Sequence, residues 1–311
     1  MKKLISVFLI VAFSVSLIAC AGGEASVGTK APDTTAPDTT IADTTAAGTT
    51  EAPVTDEVAK PDPVVTEVAK RFVFTKDGER RVFVDSNGFE LPYCIYVPED
   101  YSEDYAYPLV LFLHGAGERG NDNGTQLKYT VIQPFMDKSC PIYQSIVIAP
   151  QCPNDYQWAD TPWTLGSYST DEVPISEAMT AVVELLDAMI EEFSINENRQ
   201  YVFGLSMGGY GTWDLLCRFP DRFAAAIPLC GGGDPSKAAD LVDVPIQVFH
   251  DTEDGAVPVS GSRDMVEAIR AAGGEKITYT ETSGYGHEIW DVAIYEDNLS
   301  VIYWMFEQRK G

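Results

Sequence analysis

Residues 200–214 constrain the fold of this chain more than any other stretch. A short apolar run at 201–203 ends at Gly204, and Ser206 and Gly208 follow just before a segment with helical spacing. Ser206 is therefore predicted to lie at a sharp turn between a strand and a helix, where the glycines let the two elements pass close together. Such a turn presents a serine hydroxyl at its tip, as a nucleophile requires. A glycine-rich turn that only packs tightly is the alternative, so the surrounding pattern has to decide.

Short apolar runs alternate with helical patterns along most of the chain. The runs cover residues 109–113, 146–149, 201–203, 224–229, 246–249 and 277–279, and helical spacing covers 175–193, 207–218, 260–272 and 298–308. Unbroken apolar runs of this length are typical of strands buried on both faces of a parallel sheet. The alternation predicts an α/β fold with right-handed crossovers and helices on both faces. Three earlier segments, 71–75, 80–85 and 89–97, are expected to form antiparallel strands ahead of the parallel ones.

The first 66 residues are predicted to lie outside the folded domain. Residues 1–19 have a positive start and an apolar core, as in a signal peptide, and the small residues before Cys20 resemble a bacterial lipobox. Lipidation of Cys20 would make it the first mature residue; an ordinary signal peptide with an incidental cysteine is the alternative. Residues 20–66 contain a five-residue Thr/Pro/Ala/Asp repeat and are expected to be a disordered tether, which leaves 67–311 as the folded domain. The sequence thus predicts an exported bacterial lipoprotein on the cell exterior.

The charge of the chain excludes several partners. With 47 acidic and 21 basic residues the formal net charge is −26, and removal of residues 1–19, which carry two lysines and no acids, makes it −28. Such a protein repels nucleic acid and anionic lipid surfaces, so membrane contact is expected only through a lipid on Cys20. The oligomeric state does not follow from the sequence.

The six cysteines show no metal-ligand spacing, and no metal or organic cofactor is expected. If Cys20 is lipidated, five remain, an odd number that cannot all pair. Cys140 and Cys152 flank the predicted strand at 146–149 and are expected to be too far apart for a disulfide. Buried free thiols are the expected state of most of the five, although an outer-surface location permits a disulfide.

The carboxyl ends of the predicted strands supply a candidate base, since function collects at that edge of such sheets. The chain has three histidines. His114 and His250 each end a strand and are expected to support their loops by hydrogen bonding. His287 lies in a glycine-flanked loop after the last strand and is the candidate general base for Ser206.

The acid and the oxyanion donors are sought in two other loops. Residues 249–258 offer Asp251, Glu253 and Asp254, and Asp254 is favoured because the turn up to residue 258 would hold its carboxylate rigidly. Three solvated loop acids without a role are the alternative. The amide of Met207 is one candidate oxyanion donor, and the amide of Ala116 or its neighbour 117, after the first parallel strand, is the other. A phosphate cradle at residues 114–120 is disfavoured because the Lys-Ser/Thr of a P-loop is missing.

Four ordered motifs in residues 67–311 resemble those of the α/β-hydrolase superfamily. They read Leu-His-Gly-Ala-Gly-Glu-Arg-Gly, Gly-Leu-Ser-Met-Gly, Phe-His-x-x-x-Asp-x-x-Val-Pro and Gly-His-x-x-Trp. More narrowly, the chain is similar to secreted bacterial esterases, the polyhydroxybutyrate-depolymerase and feruloyl/acetylxylan esterase-like group, often described as predicted peptidases of prolyl-oligopeptidase type. Asp251 departs from this pattern, because that group commonly has glycine after the strand-ending histidine, and this bears on the choice between Asp251 and Asp254.

The leading hypothesis is a serine esterase with Ser206, His287 and Asp254 as its triad, removing acetyl or feruloyl groups from plant polysaccharide at the cell surface. A serine peptidase of prolyl-oligopeptidase type is an alternative within enzymes, disfavoured because no propeller-sized N-terminal domain is seen. A catalytically silent binding protein on a hydrolase scaffold is the alternative from another class, and the intact set of triad residues disfavours it.

Substrate recognition is expected in the long connection at 150–174. This segment carries Trp158 and Trp163 at the carboxyl edge of the predicted sheet. Their aromatic faces are predicted to stack on the aryl or sugar rings of the substrate. The alternative is that both tryptophans fill a small core beneath the loop.

Overall fold

A computed structural model describes residues 78–128, 130–135, 144–295 and 299–311. An eight-stranded sheet with the order β1-β2-β4-β3-β5-β6-β7-β8 forms its centre. The pairs β1·β2 and β2·β4 are antiparallel, and every later pair of neighbours is parallel. The strands are β1 (Glu79–Val84), β2 (Glu90–Tyr96), β3 (Tyr107–Leu113), β4 (Ile146–Pro150), β5 (Ile195–Leu205), β6 (Ala225–Leu229), β7 (Ile246–Asp251) and β8 (Ile277–Thr282). The predicted α/β fold, mostly parallel with antiparallel strands at its start, is confirmed.

Helices cover both faces of the sheet, as predicted. They are α1 (Glu177–Glu192), α2 (Met207–Arg218), α3 (Ser260–Ala271), α4 (Trp290–Tyr295) and α5 (Ser300–Glu307). Because side chains alternate along a strand, Leu111 of β3 packs with α1, α2 and α3, whereas its neighbour Phe112 packs with α4 and α5 on the other face. The unbroken apolar runs of the sequence are thus explained by two cores, one on each face of the sheet.

Two boundaries differ from the prediction. The helix expected at 298–308 is preceded by the separate helix α4, which begins directly after the loop of His287. Strand β5 begins at Ile195 and not near residue 201, because Ile195 pairs with Tyr107 before a register shift that leaves extra residues in β5. Residues 196–198 are polar and partly or fully exposed, so they carry no apolar signal.

Several predictions lie outside the described residues and stay predictions. They are the signal peptide at 1–19, lipidation of Cys20, the tether up to 66, the strand at 71–75 and the state of Cys140. Within the described ranges Cys94, Cys152, Cys217 and Cys230 are buried free thiols, as expected for most of the cysteines. None of the helices in these ranges is long and apolar enough to cross a membrane.

Candidate active site

Ser206 lies at the tip of a turn between β5 and α2. Its backbone adopts φ 57° and ψ −118°, a conformation that side-chain-bearing residues rarely occupy, at a cost of about 1–3 kcal/mol. The turn is held by the amide of Ser206, which donates to the carbonyl of Leu229 at 2.9 Å. A Cβ at Gly208 would lie 1.9 Å from the carbonyl oxygen of Leu113, so only glycine lets α2 start this close to the sheet. The strained turn therefore exists because the packing of β3, β5 and β6 around it enforces it.

His287 lies between Ser206 and Asp254. Its Nδ1 is 2.7 Å from Oδ2 of Asp254, and its Nε2 is 2.8 Å from Oγ of Ser206. An ionised carboxylate only accepts hydrogen bonds, so Nδ1 carries the proton and Nε2 presents its lone pair to the serine hydroxyl. The edge of Trp290 packs against the imidazole with ring centroids 5.6 Å apart, and the side chain stays 25% exposed. The arrangement can take a proton from Ser206 while remaining open to substrate.

The carboxylate of Asp254 is buried and fully hydrogen-bonded. Its Oδ1 accepts from the amides of Ala256 and Val257 at 2.8 and 2.9 Å, and its side chain is 0% exposed. Burial opposes the charge, but hydrogen bonds from His250, His287 and these two amides outweigh it and hold the pKa of Asp254 well below its usual range. The group is therefore a fixed anion at neutral pH, able to orient an imidazole and stabilise its protonated form.

The other two acids of this loop do not contact His287. Asp251 accepts from the hydroxyl of Thr282 at 2.8 Å and from the amide of Tyr285 at 3.1 Å. Glu253 accepts from the hydroxyl of Ser283 at 2.9 Å. Both carboxylates thus hold the start of the loop that carries His287. Of the three acids, Asp254 is the one whose carboxylate contacts the imidazole.

The loop after β3 lies against the Ser206 turn. A Cβ built on Gly115 would be 3.6 Å from Cβ of Ser206, and Ala116 begins a short 3-10 turn directly after it. The guanidinium of Arg119 donates to the carbonyl of Ala116 at 3.0 Å and fixes that part of the turn. On the other side, Met207 is the first residue of α2, where amides have no acceptor within the helix. The role of the Ala116 and Met207 amides as oxyanion donors stays a prediction.

The remaining two histidines support loops, as the sequence indicated. His114 is fully buried; its Nδ1 donates to the carbonyl of Gly115 at 2.6 Å and its Nε2 accepts from the amide of Cys152 at 2.9 Å. Burial lowers the pKa of His114 to about 4, so it is neutral and ties the β3 loop to the end of β4. His250 contacts the loop that carries Asp254, residues 252–258, which we call the acid loop. Its Nε2 is 3.2 Å from Oδ2 of Asp254, a contact that sequence reasoning missed.

The prediction that Trp158 stacks on substrate is wrong. The side chain is 0% exposed, and its Nε1 donates to the carbonyl of His114 at 3.0 Å. The indole occupies the space left by Gly211 on α2, where a Cβ would lie 2.7 Å from Cβ of Trp158. It is a core residue that braces the β3 loop. A glycine one and a half turns into an otherwise regular helix was the available signal that a bulky neighbour packs there.

Trp163 is only partly buried and packs against a small cluster that includes Tyr210 of α2. It begins a 3-10 turn, Trp163–Leu165, and its carbonyl accepts from the hydroxyl of Tyr210 at 2.8 Å. Tyr210 is four residues after Ser206, and its amide donates to the carbonyl of Ser206. The 3-10 turn of Trp163 is therefore anchored one helical turn beyond the strand-to-helix turn at Ser206, which we call the elbow. Leu165 on the same turn is 64% exposed. Contact between Trp163 and substrate stays a prediction.

Cys230 adjoins Asp254 and His287, which the sequence did not indicate. Its sulfur, one atom of Asp254 and one of His287 lie within 4.8 Å of one another, the one such group of potential metal ligands in the described part of the chain. Burial raises the pKa of the Cys230 thiol far above its usual range, so it is protonated, and the two partners are hydrogen-bonded to each other. This donor set does not fit a resident metal ion.

Comparison with known proteins gives consistent matches. The sequence profile of the phospholipase/carboxylesterase family matches residues 100–298. A poly(3-hydroxyoctanoate) depolymerase of Pseudomonas fluorescens is 30% identical over 154 residues, which cover 46% of this chain and 53% of that protein. The crystal structure of a thermostable esterase is 38% identical with a TM-score of 0.65, covering 75% of this chain and 63% of the other.

Other similarities concern the fold alone. A ferulic acid esterase is 18% identical with a TM-score of 0.52, covering 73% of this chain and 98% of that one. Acylaminoacyl peptidases share the fold at comparably low identity. The alignment with the P. fluorescens depolymerase spans about half the length of that protein, so the similarity concerns that half alone.

Proposed function

The chain belongs to the phospholipase/carboxylesterase family of α/β-hydrolases, and on that premise we propose that it hydrolyses carboxylic esters with Ser206 as nucleophile. The observation that carries the proposal is the hydrogen-bonded row from Ser206 through His287 to Asp254, with contacts of 2.8 and 2.7 Å. This row supports acyl transfer because it places an imidazole nitrogen beside the serine hydroxyl and a carboxylate on the other nitrogen.

The reaction has two halves. Oγ of Ser206 attacks the ester carbonyl carbon while its proton passes to Nε2 of His287, and His287 then returns that proton to the departing alcohol oxygen. The resulting acyl-serine is cleaved when His287 takes a proton from water and the hydroxide attacks the same carbon. His287 finally protonates Oγ as the carboxylic acid leaves. Asp254 stabilises the imidazolium formed in each half.

Negative charge on the carbonyl oxygen needs donors beside Ser206. The amides of Met207 and Ala116 are proposed for this role, because one begins α2 and the other follows the residue that packs on the elbow. The positive end of the α2 dipole adds to the stabilisation of an anion at that position.

The proposed substrate is an acylated carbohydrate, feruloylated or acetylated. Trp163 offers a partly exposed ring near the elbow, and a groove of about 510 Å³ is lined by Phe89, Tyr156 and Glu177 among other residues. The groove lies at the same edge of the sheet as Ser206, because the start of β2 pairs with the end of β4. Strand β2 is three positions from β5, which carries Ser206, in the order of the sheet. Aromatic rings beside a carboxylate suit sugar rings and hydroxyls.

A substrate panel tests the activity and its specificity. The full chain is assayed with a small activated acetate, feruloylated and acetylated oligosaccharides, an oligomeric 3-hydroxyoctanoate ester and an N-acylated peptide anilide, with Ser206→Ala as the matched control. We expect Ser206-dependent ester hydrolysis, highest in kcat/KM on the acylated oligosaccharides. Faster cleavage of the peptide would favour a peptidase, and faster cleavage of the polyester would favour the activity named for the P. fluorescens relative.

Trp163→Ala tests the carbohydrate part of the proposal. We expect kcat/KM to fall about tenfold for the oligosaccharide esters and to stay within about twofold for the small acetate, since only the larger substrate reaches the ring. Leu165→Ala, on the same turn, is the control for local disturbance. Equal losses on both substrates, with a lower Tm, would show that Trp163 supports the fold and does not bind substrate.

We also propose that the protein is a lipoprotein held at the outer cell surface through Cys20. The motif before Cys20 is the support for this, and the acidic chain offers no charge attraction to anionic lipids. Cys20→Ala is expected to move the protein from the detergent phase to the soluble fraction; detergent partitioning unchanged by the substitution would contradict the anchor.

A further inference from the structure

We propose that His250 is a positioning residue for the triad, donating a second histidine hydrogen bond to Asp254. The inference rests on the proposed function and concerns the same site. Nε2 of His250 lies 3.2 Å from Oδ2 of Asp254, the same oxygen that accepts from Nδ1 of His287. Asp254 is thereby held by two imidazoles, one of which contacts Ser206 and one of which does not.

The contacts of His250 place a proton on Nε2. Nε2 is hydrogen-bonded to the carbonyl of Val257 at 3.2 Å, and Oδ2 of Asp254 lies at the same distance, so both oxygens that face this nitrogen are acceptors that share its N–H. A nitrogen between two acceptors must carry a proton, and Nε2–H is therefore the donor. On the opposite side of the ring, Nδ1 lies 2.8 Å from the hydroxyl of Ser262 on α3. The ring is clamped between the acid loop and α3.

The two histidines differ in what holds them. His250 lies within β7 and is 0% exposed, whereas His287 lies in a loop and its side chain is 25% exposed. Oδ1 of Asp254 is fixed by two backbone amides, so Oδ2 is the end of the carboxylate whose position depends on side chains. His250 keeps Oδ2 aligned with Nδ1 of His287 when the His287 ring tilts towards the leaving group. Preorganisation of this kind acts on turnover more than on substrate binding.

Asp254 is the carboxylate available to His250, because the other charged group that faces it is already paired. Glu281 on β8 is paired in register with His250, but its carboxylate is bound by the guanidinium of Arg263 at 2.7 Å through both oxygens. The neighbouring thiol of Cys230 is protonated. Ser262, from α3, contributes a neutral hydroxyl.

Two substitutions separate the donor from the bulk of the ring. The amide nitrogen of Gln reaches about as far as Nε2, so His250→Gln retains a donor to Asp254. Asn reaches only as far as Nδ1, so His250→Asn keeps the contact with Ser262 and loses the contact with Asp254. We expect kcat on the small acetate to fall about ten- to hundredfold in His250→Asn with KM within about twofold, since hydrogen bonds to charged groups have effects of this size. In His250→Gln we expect kcat within about threefold of the parent.

A double-mutant cycle decides whether His250 acts through Asp254. In an Asp254→Asn background, His250→Asn should reduce kcat by less than about twofold, because the carboxylate that it positions is gone. The same loss in both backgrounds, or equal losses for the Gln and Asn variants at unchanged Tm, would overturn the proposal. If His250→Asn does not fold, Ser262→Ala takes its place in the cycle, with an expected loss of about threefold in the parent and none in Asp254→Asn. Absence of Ser206-dependent turnover in the parent would instead count against the proposed function itself.

Discussion

At the scale of single residues, the site separates three carboxylates that are close in sequence. Asp251, Glu253 and Asp254 belong to one loop, yet only Asp254 faces the imidazole, while Asp251 binds the strand and loop that precede His287. We therefore expect both Asp251 and Asp254 to affect the position of His287, in different ways. Asp254 orients the ring, and Asp251 holds the backbone from which the ring projects.

Replacement of these acids by amides tests that division. We expect Asp254→Asn to lower kcat on the order of ten-thousandfold with little change in KM, because the amide no longer fixes the imidazole tautomer. Steady-state kinetics on a small acetate ester measures it. Glu253→Gln, in the same loop but bonded only to Ser283, is the matched control and should stay within about threefold.

Asp251→Asn gives the contrasting result. Oδ2 of its carboxylate accepts from Thr282 and from the Tyr285 amide, and Oδ1 accepts from the Glu253 amide at 2.8 Å. An asparagine side chain can replace only one of these two accepting oxygens. We expect a lower Tm and a kcat reduced about tenfold. A loss in kcat larger than that of Asp254→Asn would show that the orienting acid has been misassigned.

At the scale of elements, the elbow depends on the absence of side chains where α2 meets the sheet. A methyl group at Gly208 would lie 1.9 Å from a backbone oxygen of β3, which has no flexible end to move aside. We expect Gly208→Ala to lower the free energy of unfolding by at least about 3 kcal/mol, at or above the upper end for overpacking, or to prevent folding. Urea titration measures it.

Gly117→Ala is the control for the elbow, since a Cβ there meets no atom within 4 Å. Its unfolding free energy should stay within about 0.5 kcal/mol of the parent. A similarly small change in Gly208→Ala would contradict the packing argument.

Many of the strands and loops were predictable from the sequence, for physical reasons. The strands β3, β4 and β6 are buried on both faces and therefore appear as unbroken apolar runs, and the Gly-x-Ser-x-Gly turn and the glycines around His287 mark the loops. The interior position of Trp158 was not predictable from the loop that carries it, because its burial depends on Gly211 in another element. The pairing of His250 with Asp254 likewise depends on a loop closing back onto its own strand, for which no sequence period exists.

Trp158 provides a test at this scale. The indole fills space against α2 and donates to the β3 loop, so we expect Trp158→Ala to reduce the free energy of unfolding by about 3–5 kcal/mol. Residual kcat/KM in the folded fraction should fall equally for small and large esters, because the indole reaches neither. A selective loss on oligosaccharide esters at unchanged stability would restore the role of Trp158 in substrate binding.

At the scale of the whole molecule, buried carboxylates make stability depend on pH. Burial opposes the charges of Asp234, Asp251 and Asp254, but their hydrogen bonds outweigh it and lower each pKa. A folded-state pKa below the unfolded value of about 3.9 stabilises the protein above that pH, and the contribution is lost as pH falls through the folded value. Asp214 acts in the opposite direction, since burial raises its pKa.

We therefore expect the free energy of unfolding to decline on acidification, most steeply below about pH 4. The three carboxylates with a lowered pKa should outweigh Asp214, whose pKa is raised. Urea titrations between pH 7 and pH 3 measure it. Asp234→Asn, which removes the carboxylate bonded by Thr170 and Ser236, should reduce the slope. Stability that rises between pH 5 and pH 3 would contradict the assignment of these groups.

In the proposed reaction Ser206 forms an acyl bond with an ester substrate, with His287 taking its proton. Mass spectrometry of the full chain quenched during turnover of a small activated acetate measures that bond directly. We expect an acetyl adduct on the peptide that contains Ser206, absent in Ser206→Ala and formed at least about a thousandfold more slowly in His287→Ala. An adduct on another residue, or ester turnover that persists in a folded Ser206→Ala variant, would contradict it.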